Sequence, residues 1–168
     1  MTSMLRFLIT LAMLGAGWTA NNSYDACAGN VPTATTAHFT GQCFVSPGDT
    51  WLLEEVVMWY SPQAPNTGST QAGYTAQFMW SGRIELAEDE ISFGTGTMIE
   101  TPTRVGSVQV FIYWDGLTDN VNIRKGNYIA QLLLNHNPFT FPYVGEPEPP
   151  RAMILQIAAK AVKQMELA

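Results

Sequence analysis

The chain has 168 residues, a length that suits one domain of ordinary size. Hydrophobic residues make up 46% and charged residues only 13%, against roughly 25% charged in typical soluble domains. A solvated face must therefore be built from Thr, Ser, Asn, Gln and Gly. The net charge of −6, with no Lys/Arg cluster, argues against a nucleic-acid-binding surface.

The most apolar run comes first. Phe7 to Trp18 is apolar except for Thr10, and it follows Arg6. It is too short for a membrane span, which needs about 20 residues, and has the length of a signal-peptide core. Cleavage after Ala20 would put Trp18 at the third position before the cut, where a small residue is wanted; cleavage after Gly17 would put Gly15 there. The site is imperfect, so the expectation is a retained apolar arm whose Phe7, Leu8, Leu11, Leu14 and Trp18 contact a neighbouring subunit. A secretion leader over residues 1–20 is the alternative.

Residues 21–41 are rich in Asn, Thr, Ala and Gly and read as an extended connector. Asn21-Asn22-Ser23 fits the N-glycosylation pattern, which matters only in a eukaryotic secretory protein. The two cysteines, Cys27 and Cys43, are candidates for a disulfide if the protein is exported. From Gln42 the texture changes to strands. "QCFVSPGDTWLLEEVVMWYSP" reads as a short strand, a turn and a long strand. "YTAQFMWS" alternates at period two; "GRIELAED" and "EISFGTGTMIETP" read as further short strands. "VGSVQVFIYWDG" is the strongest strand of the chain, and "GNYIAQLLLN" follows after a loop from Asp115 to Gly126. Seven or eight strands at such spacings suit an all-β antiparallel sandwich or jelly roll. The Pro-rich "NPFTFPYVGEPEPP" reads as a stiff connector. "RAMILQIAAKAVKQMELA" reads as an amphipathic helix, with Ile154, Ile157, Ala158, Ala161 and Met165 on one face. The expected organisation is an arm and connector (1–41), a sandwich (42–144), and a connector and helix (145–168).

Candidate chemistry is sparse, and an enzyme is not expected. Glu54 and Glu55 are adjacent in a strand and point to opposite faces. Glu85, Glu88, Asp89 and Glu90 read as a solvated acidic turn. "WDGLTDNVN" offers Asp115, Asp119, Asn120 and Asn122 as oxygen ligands but lacks the order of a Ca²⁺ loop. His38 and His136 lie far apart. No metal or cofactor is implied. The loop at residues 61–73 is long, polar and uncharged, and its Gln63, Asn66, Thr67, Ser69 and Gln71 are candidate contacts. Trp51, Trp59, Trp80 and Trp114 are placed in strands as core, with a sugar-stacking face as the alternative. Ile154, Ile157 and Met165 complete the candidate subunit contacts.

The stretch "CFVSPGDTWLLEEVVMWY", with "GNYIAQLLL" later, resembles bacterial extracellular jelly-roll modules. The plan of arm, sandwich and peripheral helix resembles small jelly-roll virion proteins. Neither resemblance carries a functional residue over. They imply two functions: a phage capsid, cement or decoration subunit that associates with itself and other virion proteins, or an exported module that binds glycans.

Overall fold

The computed structural model describes residues 4–21, 37–60, 62, 75–138 and 148–168. Seven strands form one antiparallel sheet: β1 (Thr19–Ala20), β2 (Ala37–Val45), β3 (Trp51–Tyr60), β4 (Thr97–Val105), β5 (Val108–Trp114), β6 (Asp119–Lys125) and β7 (Tyr128–His136). Their order is β1-β2-β3-β7-β6-β5-β4. Three helices accompany them: α1 (Leu11–Leu14), α2 (Ala76–Ser92) and α3 (Arg151–Leu167). The sheet is two meanders, β1-β2-β3 and β4-β5-β6-β7, joined edge to edge where β3 pairs with β7. Helix α2 carries the chain from the end of β3 to the far edge at β4. Two hairpins turn on Gly106-Ser107 and Gly126-Asn127; glycine leads each pair at φ +57, as the primed hairpin turns require.

Alternation along the strands divides the apolar residues between the two faces. Phe44, Leu53, Val57, Val110, Ile112, Val121, Ile123, Ala130, Leu132 and Leu134 make one face. Helix α3 packs over β5 and β6 on this side, and the first turn of the N-terminal arm packs over β2, β3 and α3. Phe111, Tyr113, Ile129 and Tyr60 belong to the other face, which α2 covers with Ala76, Trp80 and Ala87. The described residues thus form a single sheet covered by helices and the arm, where a second sheet was expected. The arm and α3 are not separate from the sheet; both contribute to its largest core cluster.

Two elements differ from expectation. Residues 76–92 are helix, not two strands. Thr75 Oγ1 accepts from the Phe78 amide as an N-cap, and Gly94, at φ +78, ends the helix with its amide donating to the Ile91 carbonyl. The interior is rich in Ala, Glu, Leu, Met and Gln, all good helix formers. The period-two pattern misled because Phe78 and Leu86 face outward, each 53% exposed, and blur the apolar stripe. Glu85, Glu88 and Asp89 are accordingly exposed helix residues, not an acidic turn. The second difference is β6, which occupies most of the expected Asp115–Gly126 loop. Its alternation is real but half of it is polar: Val121 and Ile123 enter the core under α3, while Asn120, Asn122 and Arg124 occupy the α2 face.

Gly82 lies inside α2, with open space where a Cβ would stand. Gly82→Ala is expected to stabilise the protein by about 0.5–1 kcal/mol, because glycine in a helix interior costs that much relative to alanine. Urea-denaturation midpoints check this; an unchanged or lower midpoint would contradict an open position inside a helix.

Candidate association site

The N-terminal arm lies in a groove on the α3-covered face. A 3₁₀ turn (Met4–Phe7) leads into an extended stretch and then α1. Phe7, Leu8, Ile9 and Leu14 are buried, while Leu5 and Leu11 stay exposed. The Phe7 ring packs against Tyr128 at 4.3 Å between centroids, and the Arg6 guanidinium stands over the Phe7 ring at 4.8 Å.

The arm's backbone is held by side chains of the body. The Ile9 amide donates to both oxygens of Glu55, at 3.2 and 3.1 Å. Gln42 Nε2 donates to the Ile9 carbonyl at 2.7 Å and to Glu55 Oε2. Further along, Gln164 Nε2 of α3 donates to the Arg6 carbonyl at 2.6 Å. Gln42 and Glu55 face each other across the β2–β3 ladder, so one cross-strand pair grips both backbone groups of one residue. Glu54, pointing the other way, takes no part in the grip.

Glu55 is 1% exposed. Burial pushes its carboxyl up to about 8, against the opposing pull of the Gln42 and Ile9 hydrogen bonds. At neutral pH the acid under the arm is therefore mostly uncharged.

A second buried acid lies where β6 meets the start of α3. Asp119 has no exposed surface, and neither of its oxygens meets a donor among the described residues. Its neighbour is the Glu148 carboxyl, which Arg151 Nη2 holds at 2.7 Å. Burial pushes Asp119 up to about 7. The charges of Glu148 and Asp115 push the same way, and Arg151 opposes them. A hydrogen bond to Glu148 favours the protonated form of Asp119 as well.

The other candidate residues fall as follows. Ile154, Ile157 and Met165 are buried on the sheet, as are Phe7, Leu8 and Leu14, so all six are covered by their own chain in this conformation. Trp18 is half-buried against the same core. Gln63, Asn66, Thr67, Ser69, Gln71 and Cys27 lie outside the described residues; Cys43 is buried and disulfide-bonded. The oxygens of "WDGLTDNVN" are dispersed. Asp115 Oδ1 caps its turn by accepting from the Leu117 and Thr118 amides, at 2.8 and 2.7 Å. Its Oδ2 accepts from Asn120 Nδ2 at 3.0 Å, and Asn122 Oδ1 accepts from Arg83 at 3.2 Å. Asp119 faces the opposite side, so these groups do not converge on one cation. His136 packs against Trp51 with tilted rings, 4.2 Å between centroids; the His38 side chain lies outside the description. Trp80 is in α2, not in a strand, and shares neither face nor neighbours with Trp51. No helix among the described residues is long and apolar enough to cross a membrane.

Sequence reasoning missed Gln42, and it named Glu55 and Asp119 without finding that either is a buried acid. The available signal was a charged or amide residue at an inward position of an otherwise apolar strand face, which demands a partner. No protein-family model matches the chain, and comparison with curated proteins and with solved structures likewise found no match.

Both raised acids destabilise the fold as pH rises. Glu55 binds a proton more tightly folded than unfolded, so its contribution is complete below about 4.5 and is lost as pH climbs to about 8. Glu55→Gln is close in shape, keeps one acceptor oxygen and cannot ionise. It is expected to remove a slope of up to about 1.4 kcal/mol per pH unit in that window, read from denaturation midpoints between pH 5 and 9. An unchanged slope would mean that Glu55 enters the fold charged. For Asp119→Asn the gain relative to wild type is expected only as pH rises from about 4 towards 7; a Tm difference that is constant with pH would contradict a raised Asp119.

Proposed function

We propose that the chain is a structural assembly subunit of a virion, a capsid, cement or decoration component that acts by associating with copies of itself and with other structural proteins. One observation carries this reading: the N-terminal arm is a distinct apolar segment, held in a groove through its backbone, and attached to the body through glycines. Such segments join subunits by burying apolar surface against a neighbour. The low charge of the chain supports the reading, as do large exposed apolar side chains at Leu5, Phe93, Leu117 and Leu167, 66–82% exposed and available to neighbours.

A second reading is favoured by the disulfide at Cys43. Disulfides persist in oxidising compartments, which fits an exported module for glycans or adhesion, with residues 1–20 as its leader. The mass of the native N-terminus separates the two. A chain beginning at Met1 is expected for the virion subunit, and one beginning near Trp18 or Asn21 for export. Light scattering of the purified full chain over a range of concentrations should show self-association; a monomer at every concentration counts against assembly.

A further inference from the structure

We propose that the groove filled by residues 4–14 also accepts the same segment of a second copy of this chain, so that copies are joined by exchanging arms. The inference rests on the association reading and names its surface and its partner.

Three observations carry it. First, the arm is bounded by a pivot. Gly15 and Gly17 sit at φ +104 and +88, conformations that L side chains rarely adopt, and open space surrounds the position of a Gly15 Cβ. Immediately beyond, the chain is anchored: Thr19 and Ala20 pair with Val45 and Phe44, and the Asn21 amide donates to the Cys43 carbonyl at 2.9 Å. Gly17 lies against Pro47, whose Cγ is 2.8 Å from where a Cβ would stand, so a change of direction at Gly15 redirects the arm without disturbing the sheet.

Second, the hydrogen bonds between arm and body converge on the arm's main chain. Glu55 and Gln42 grip the Ile9 peptide groups, and Gln164 grips the Arg6 carbonyl. An identical arm from another copy satisfies them in the same way, together with the sites of Phe7, Leu8, Ile9 and Leu14. Exchange therefore changes which chain supplies the arm and leaves the contacts as they are.

Third, the groove holds its occupant by a polar pair suited to an extended backbone. Glu55 and Gln42 satisfy the N–H and C=O of Ile9, which apolar residues at those positions would leave buried and unpaired. The pair therefore gives any incoming arm its register.

The test uses the full chain with Arg6→Cys and Gln164→Cys, treated with a short bifunctional thiol cross-linker after refolding from denaturant at low and high concentration. The unsubstituted chain is the control. Dilute refolding should give a link within one chain. Concentrated refolding should give a dimer fraction whose arm and α3 are linked between chains, visible as a doubled mass under denaturing conditions. Oligomers linked only within each chain would overturn arm exchange and leave association standing. Monomers at every concentration would sink both. Absence of any link would show that the arm does not dock beside α3, and the proposal falls with it. Deleting Ala16 and Gly17 provides a second arm of the test: a shortened pivot hinders the closed form and is expected to shift the balance towards dimer. An unshifted balance argues against a pivot there.

Discussion

A seven-stranded sheet with Leu, Ile, Val and Phe on both faces has to be covered on both, and the chain supplies that cover from three separate places. Helix α2 crosses one face on its way from β3 to the far edge. Helix α3 returns over β5 and β6 on the other, and the arm fills the remaining strip over β2 and β3. The edges are handled differently. Strand β4 is interrupted by register shifts around Glu100 and carries Pro102 and Arg104, features that discourage pairing with another sheet.

The division of labour on the α3 face has an energetic consequence. Helix α3 contributes six buried side chains along a continuous stripe, and Lys125 Nζ caps its end by donating to the Met165 and Glu166 carbonyls at 3.1 and 2.9 Å. The arm contributes fewer buried side chains, has little helix of its own, and relies on a polar grip. Of the two covers on this face, the arm is the one that opens first, because local opening follows the segments with the fewest buried contacts.

The two buried acids stand at the margins of these covers. Glu55 lies beneath the arm, and Asp119 lies where α3 begins. Burial raises both acids, Glu55 to about 8 and Asp119 to about 7, so each makes its cover sensitive to protons in the same direction. An isolated carboxylate at either place would be far more costly than a hydrogen-bonded proton.

Much of the sheet was legible because alternation reports directly on which side of a strand is buried: β3, β5 and β7 are read from Trp51–Tyr60, Val108–Trp114 and Tyr128–His136 with little shift of bounds. The stripe of α3 is equally plain, since Ile154, Ile157, Ala158, Ala161 and Met165 recur at helical spacing. The apolar character of the arm, its glycines and its insufficient length for a membrane span were also local facts. What residues 76–92 would become was not local: Ala76, Phe78 and Trp80 satisfy a two-residue and a four-residue repeat together, and only the surface offered by Phe111, Tyr113 and Ile129 selects the helix. The strand character of β6 was hidden because Asn122 is buried against Arg83, 39 positions away, while Asn120 bonds the adjoining turn at Asp115 and Thr118. The grip of Glu55 and Gln42 on Ile9 joins residues 46 and 33 positions apart. Composition and periodicity determined that this chain needs cover for an apolar sheet; which segments provide it, and that an acid lies beneath one of them, was decided only when distant parts of the chain came into contact.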